Sequence, residues 1–65
     1  MPYSLIIDLG PETITEGPFV GGIHEADYKV ANWASAGLGV VTDANGTRWY
    51  IPWHSIEKIA YEVVL

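Results

Sequence analysis

Residues 41–55, VTDANGTRWYIPWHS, join two apolar runs through an Asn-Gly pair. Asn-Gly is typical of a two-residue type I′ turn, because both residues tolerate positive φ and the turn matches the twist of paired strands. The run after the turn carries two of the three tryptophans, Trp49 before Pro52 and Trp53 directly after it. The stretch therefore predicts a β-hairpin whose rings either form a binding platform or fill a small core.

A two-residue turn at Asn45-Gly46 also predicts the register of this hairpin. The opposed pairs are Ala44 with Thr47, Asp43 with Arg48, Thr42 with Trp49, Val41 with Tyr50, Val40 with Ile51, and Leu38 with Trp53. The more apolar face of the predicted hairpin carries Leu38, Val40, Thr42, Trp49, Ile51 and Trp53. The opposite, wetter face places Asp43 beside Arg48 as an ion pair, and it makes Tyr50 the most accessible aromatic side chain.

Strands are also predicted before the hairpin. Residues 3–9 alternate, with Tyr3, Leu5, Ile7 and Leu9 on one face. Residues 10–22, GPETITEGPFVGG, contain two Gly-Pro pairs and a Gly-Gly pair, so we expect a long excursion with a strand only near residues 18–23. Residues 28–34 alternate imperfectly and are interpreted as a further strand.

The last segment, residues 54–65, fits two patterns. Ile56, Ile59, Ala60, Val63 and Val64 match a helical stripe, whereas Ile59, Tyr61, Val63 and Leu65 match one face of a strand. The β-branched residues favour the strand, preceded by a one-turn 3-10 segment at residues 52–55. We therefore predict a mainly β fold, in which residues 1–65 form one small antiparallel β-barrel or rolled sheet of about five strands.

Size and composition indicate self-association. A chain of 65 residues has a marginal core, and small folds usually add disulfides, a metal or partner subunits. The chain has no cysteine, which excludes disulfides and thiolate metal sites. Because 49% of the residues are apolar and only 17% are charged, we expect a homo-oligomer that covers the remaining apolar side chains.

The charge disfavours duplex nucleic acid as a partner. The formal net charge is −5, and the only basic side chains are Lys29, Arg48 and Lys58. Such scattered cations do not provide the phosphate contacts on which duplex binding depends. No apolar run approaches the ~18 residues of a membrane-spanning helix. Residues 1–10, MPYSLIIDLG, lack the pattern of a secretory signal, so a cytoplasmic location is expected.

From residue 38 onward the order is strand, tight turn, strand, IPWHSI turn and strand. This order resembles the second half of small β-barrels of the Sm-like and SH3-like kind. The Sm-like resemblance implies a ring-forming barrel, often with an RNA or nucleotide site around its pore. This chain departs from that pattern because it is acidic and carries no RNA-binding loop motif at matching positions. Short chains of this type are also typical of phage and mobile-element genomes.

Catalytic and metal sites are not predicted. His24, Glu25, Asp27 and His54 are able to bind metal, but adjacent residues of a strand point to opposite faces and three or four ligands must converge. His54 and Ser55 are neighbours, which rarely places a hydroxyl within reach of its base. We therefore expect no catalytic residue, no metal and no cofactor, and a metal-dependent hydrolase is a remote alternative.

The leading hypothesis is a non-enzymatic binding module that acts as a homo-oligomer and engages a protein partner, for example a phage protein that modulates a host factor. The candidate binding residues are Arg48, Tyr50, Trp33, Trp49, Trp53 and His24. Aromatic side chains and arginine are frequent hot spots of protein contacts, although large rings also fill small cores. The alternative is a nucleotide-binding ring with Arg48, Tyr50 and the glycine-rich residues 17–24 between subunits.

Overall fold

A computed structural model describes all 65 residues and contains five strands, one α-helix and one 3-10 turn. In chain order the elements are β1 (Tyr3–Asp8), β2 (Thr13–Phe19), α1 (Ile23–Ala36), β3 (Leu38–Thr42), β4 (Arg48–Pro52), the 3-10 turn (Trp53–Ser55) and β5 (Lys58–Val63). Sheet A is antiparallel in the order β2-β1-β5, and sheet B is the antiparallel pair β3-β4. The mainly β prediction, the 3-10 turn and the last strand are confirmed.

The core lies between the inner face of sheet A, helix α1 and the hairpin β3-β4. Leu5 and Ile7 of β1 are fully buried, as their alternation in the sequence predicts. The other buried apolar side chains are Ile14, Ala26, Trp33, Val41 and Ile51. Because both sheets and the helix contribute to one cluster, loss of any of these three parts would expose the other two.

Helix α1 replaces the strand predicted for residues 28–34, so that prediction is wrong. Ala26, Val30 and Trp33 are spaced by four and three residues and face the core, which is the period of a helix. Alanines at several other positions favour the helix. Because alanine is small and weakly apolar, these residues made the alternation of apolar and polar residues in 28–34 imperfect. The helix ends at Gly37, whose φ of 75° is left-handed and whose N–H donates to the carbonyl of Trp33.

Strand β2 corrects the prediction for residues 10–22. These residues were expected to form an excursion with a strand near residues 18–23, but β2 covers Thr13–Phe19 and pairs with β1. Thr13, Ile14 and Thr15 are β-branched, and Ile14 and Glu16 turn toward the core. Gly10-Pro11 therefore precedes the strand, whereas Gly17-Pro18 lies within it, where the register with β1 shifts.

The two sheets remain separate ladders. Strand β2 lies against β3, but no strand pairing joins β2 to β3. The chain returns after β4 through the 3-10 turn, and β5 then pairs with β1 over its whole length. Helix α1 has 14 residues, and no helix is long and apolar enough to cross a membrane.

Candidate functional site

The hairpin turn has a three-residue loop, so the predicted register is wrong by one residue. Thr42 stands opposite Arg48, and Val41 stands opposite Trp49. The N–H of Asp43 donates to the carbonyl of Thr47, and the N–H of Gly46 donates to the carbonyl of Asp43, both at 3.0 Å. Gly46 has a φ of 82°, which matches a type I turn followed by one left-handed residue.

The carboxylate of Asp43 explains this choice of turn. Its Oδ1 accepts the backbone N–H groups of Asn45 at 2.9 Å and Thr47 at 3.0 Å. Its Oδ2 accepts the indole N–H of Trp49 at 2.8 Å. The indole hydrogen bond, with the two backbone bonds, lowers the pKa of Asp43 from its ordinary value of 3.8. The predicted ion pair of Asp43 with Arg48 is absent, because Arg48 stands opposite Thr42 and the Asp43 carboxylate is directed to the turn and to Trp49.

The shifted register separates the aromatic side chains of β4. Trp49 and Ile51 share the inner face of β4, as predicted, but Val41 lies opposite Trp49 on that face and not opposite Tyr50 as predicted. Val40 and Thr42 lie on the other face, contrary to the prediction, since a one-residue shift moves every partner to the opposite side. Arg48 and Tyr50 are exposed on that outer face, and the Arg48 side chain makes no ion pair within the chain.

A groove opens between the first half of β2 and the hairpin turn. Its volume is about 280 Å³. The lining residues are Glu12, Thr13, Ile14, Thr15, Asp43, Ala44, Asn45 and Trp49. Two of them are carboxylates and none is basic, and Trp49 is 36% exposed at its wall. The groove therefore combines an acidic rim, hydroxyl groups and one accessible aromatic ring.

The other candidate binding residues do not join this groove. Trp33 is 4% exposed and belongs to the core, and Trp53 is half-buried against the same cluster. His24 is exposed in the first turn of α1. Tyr50 is 62% exposed but is not the most accessible aromatic side chain, because Tyr28 on the helix is 71% exposed.

Only Trp49 of the groove was a candidate site residue, and the sequence did not identify the other seven: Glu12, Thr13, Ile14, Thr15, Asp43, Ala44 and Asn45. The first four lie in the segment interpreted as an excursion, and the last three were assigned to the hairpin, with Asp43 as the partner of Arg48. A signal did exist for Asp43, since an aspartate two residues before an Asn-Gly pair commonly accepts turn N–H groups. No sequence pattern places residues 12–15 beside residues 43–49.

Two polar contacts attach helix α1 to opposite edges of sheet A. Lys29 donates to Oε2 of the buried Glu16 on β2, and its ammonium lies 5.3 Å from the ring centre of Phe19. The hydroxyl of Tyr61 on β5 donates to Asp27. Burial first, and the Asp27 carboxylate second, raise the pKa of Tyr61 to about 12. These contacts orient the helix across the sheet.

The metal-capable residues are dispersed. The HEAD segment is part of helix α1, where Glu25 accepts the N–H of Gly21 and Asp27 accepts the Tyr61 hydroxyl. No three histidine, aspartate or glutamate side chains converge into a metal-binding arrangement. His54 and Ser55 are both exposed in the 3-10 turn.

Comparisons of the chain with protein-family models, with curated proteins and with solved structures find no match.

Proposed function

We propose that this chain is a non-enzymatic binding module that acts as a homo-oligomer and engages a protein partner through the groove beside the hairpin turn. The observation that carries the proposal is the lining of the groove, which contains two carboxylates, a half-exposed indole and no basic side chain. The partner feature that fits this lining is an extended segment containing lysine or arginine. The net charge of −5 attracts such a segment over a longer range.

The edge of sheet A supports an extended partner. Strand β2 pairs only with β1, and the first half of β2 forms one wall of the groove. An extended peptide adds to such an edge through main-chain hydrogen bonds, and its alternate side chains enter neighbouring pockets. A basic side chain in this position faces Glu12 and Asp43, and it also contacts the ring of Trp49 by a cation–π interaction.

The resemblance to Sm-like and SH3-like barrels belongs to the same proposal. It is supported by the 3-10 turn after β4, by the return of β5 to β1, and by the approach of β2 to β3. In a closed barrel the ladder would continue from β2 to β3. We propose a rolled sheet whose opening on this side receives the partner segment.

The test is a titration with two short peptides, one of alternating lysine and valine and one of alternating glutamate and valine. Trp49 fluorescence reports binding, and Trp49→Phe identifies its contribution. We expect the lysine peptide to bind and the glutamate peptide not to bind. Glu12→Gln weakens this binding about two- to fivefold, as for an exposed ion pair. The matched control, Glu25→Gln, removes the same charge on helix α1 and leaves the affinity unchanged.

Equal binding of both peptides, or equal effects of Glu12→Gln and Glu25→Gln, would contradict the groove as the partner site. A thermal-shift panel of nucleotides examines the alternative function. A nucleotide at a hundred times its Kd stabilises the chain by about 2.7 kcal/mol, and such a response without peptide binding would favour a nucleotide ring over a protein-binding module.

A further inference from the structure

Strand β5 forms the edge of sheet A opposite to β2, and its outer side pairs with no other strand. It covers Lys58–Val63, pairs only with β1 and contains no proline. An edge strand of this kind exposes backbone donors and acceptors that another strand can use. Val63 and Leu65 are exposed apolar residues at its carboxyl end. The edge therefore has the features of an interface between chains.

The pairing with β1 shows which backbone groups of β5 face the open edge. The N–H of Val64 donates to the carbonyl of Pro2 at 2.9 Å, and this pair continues the register of Tyr3 with Val63. Antiparallel partners alternate between hydrogen-bonded and non-hydrogen-bonded pairs. Ala60, which lies four residues before Val64 and opposite Ile6, therefore also directs its backbone groups to β1. It follows that the backbone groups directed to the open edge belong to Ile59, Tyr61 and Val63.

This alternation restricts how a second copy can pair with β5. In an antiparallel pair of two β5 strands, odd-numbered residues must face odd-numbered residues, because only these have free backbone groups at the edge. Among the registers that satisfy this condition, the one centred on Ala60 alone places Lys58 opposite Glu62 of the second copy. Two-fold symmetry forms that ion pair twice, since each strand supplies one lysine and one glutamate.

The side chains suit this register. Lys58 with Glu62 and Ala60 with Ala60 are non-hydrogen-bonded pairs, in which Cα atoms approach to about 4.5 Å. The small Ala60 permits this approach at the symmetry axis. Within one chain the only ion pair of Lys58 is with Asp8, at 3.8 Å, and Glu62 has no ion pair. In this register a second copy would supply an ion-pair partner for Glu62.

We propose that this chain forms a two-fold dimer by antiparallel pairing of β5 with β5, centred on Ala60, which joins two copies of sheet A into one six-stranded sheet. The proposal deepens the homo-oligomer part of the proposed function. It does not use the groove, so failure of peptide binding and failure of dimerisation are separate results.

Charge reversal tests the register by sedimentation equilibrium. Lys58→Glu and Glu62→Lys each place like charges opposite each other twice, so we expect each to weaken dimerisation about tenfold or more. The combined Lys58→Glu and Glu62→Lys variant restores the native dimer, because the opposite charges are only exchanged. Glu25→Lys, with the same change of net charge as Glu62→Lys, is the control and leaves dimerisation unchanged. Circular dichroism verifies that every variant is folded.

Cross-linking tests the same register without changing a charge pair, and the absence of native cysteines makes it unambiguous. Ala60→Cys places two thiols at the symmetry axis, so oxidation yields a covalent dimer. Glu62→Cys is the control, because its two thiols lie about 13 Å apart along the paired strands. A monomeric native chain at all concentrations, a combined charge variant that does not recover, or equal cross-linking of both cysteine variants would overturn the proposal.

Discussion

Sheet A and the hairpin β3-β4 are stabilised in different ways. Sheet A has three strands, carries the two fully buried residues of β1 and is covered by a helix that makes polar contacts at β2 and β5. The hairpin contributes Val41 and Ile51 to the core, but its shape depends on the hydrogen bonds of one turn residue, Asp43. Long-range packing therefore holds the first region, whereas local turn chemistry holds the second.

This difference indicates where a small protein of this kind can bind a partner without lowering the stability of its core. The groove lies where the rigid edge of sheet A meets the locally determined turn, so one wall is provided by each region. The side chains of Ala44 and Asn45 can change without loss of the core, because neither residue is part of the buried cluster. Substitutions in the two regions should therefore separate stability from recognition.

The largest expected effect is in the core of sheet A. Leu5→Ala removes a fully buried side chain and is expected to lower the free energy of unfolding by about 3–4 kcal/mol, as measured by urea denaturation. The matched substitution in the hairpin, Val41→Ala, removes fewer buried carbons and should cost about 2 kcal/mol. If Val41→Ala is as destabilising as Leu5→Ala, the hairpin is as important to the core as the sheet.

The next effect concerns the contact of helix α1 with β2. The side chain of Glu16 is 8% exposed, and its Oε1 has no hydrogen-bond partner. Lys29→Met leaves this carboxylate without its cation and is expected to destabilise the fold by about 3 kcal/mol. The combined Glu16→Leu and Lys29→Met variant should recover most of this loss in the same urea experiment. A cost below about 1 kcal/mol for Lys29→Met would instead indicate an ordinary surface ion pair.

The parts of the fold that the sequence predicted are those set by local patterns. The alternation in β1 identified Leu5 and Ile7 as core residues, and Pro52 with the β-branched final segment predicted the 3-10 turn and β5. Helix α1 was missed because residues 28–34 alternate well enough to resemble a strand. The distinguishing signal, the spacing of Ala26, Val30 and Trp33, begins outside that window.

The site was less predictable, because its geometry depends on contacts between distant residues. The Asn-Gly pair predicted a turn, but the side chain of Asp43 selects a three-residue loop and so moves the register. The groove joins residues 12–15 to residues 43–49 across the two sheets. The groove exists because β2 lies beside β3. The residue spacing within either segment does not predict that arrangement.

A substitution at Gly46 tests the local control of the hairpin. Gly46→Ala places a side chain at a φ of 82° and is expected to cost about 1–2 kcal/mol in urea denaturation. Gly46→Asn is the matched control, because asparagine adopts left-handed φ more readily and should cost less. Equal costs for the two variants would show that the left-handed conformation at this position does not determine the turn.

Titration of Tyr61 tests the contact of the helix with β5 at high pH. Burial and the Asp27 carboxylate raise the pKa of Tyr61 to about 12 from its ordinary value of 10.0. The resulting stabilisation is fully present below pH 10 and is lost as the pH rises toward 12. Tyr61→Phe should remove the last component of the tyrosinate absorbance, and Asp27→Asn should move it to lower pH. An unchanged titration in Asp27→Asn would exclude an effect of that carboxylate.

The smallest effect is expected at Asp43, which is the turn residue that also lines the groove. The indole N–H of Trp49 and the backbone N–H groups of Thr47 and Asn45 favour its charged form and lower its pKa below 3.8. Its contribution to the hairpin is therefore present above pH 3.8 and is lost as the pH falls below that value. The indole N–H resonance of Trp49 should report this step, and it should be absent in Asp43→Asn.

A midpoint at or above pH 3.8 would contradict the hydrogen bonds of the turn. A midpoint below it has a consequence for binding as well. Because the same carboxylate sets the turn and faces the groove, protonation of Asp43 should weaken binding of the lysine peptide over the same pH range in which the Trp49 resonance moves. Glu12→Gln removes a groove charge but no turn contact, so it should weaken the peptide while leaving the Trp49 transition in place.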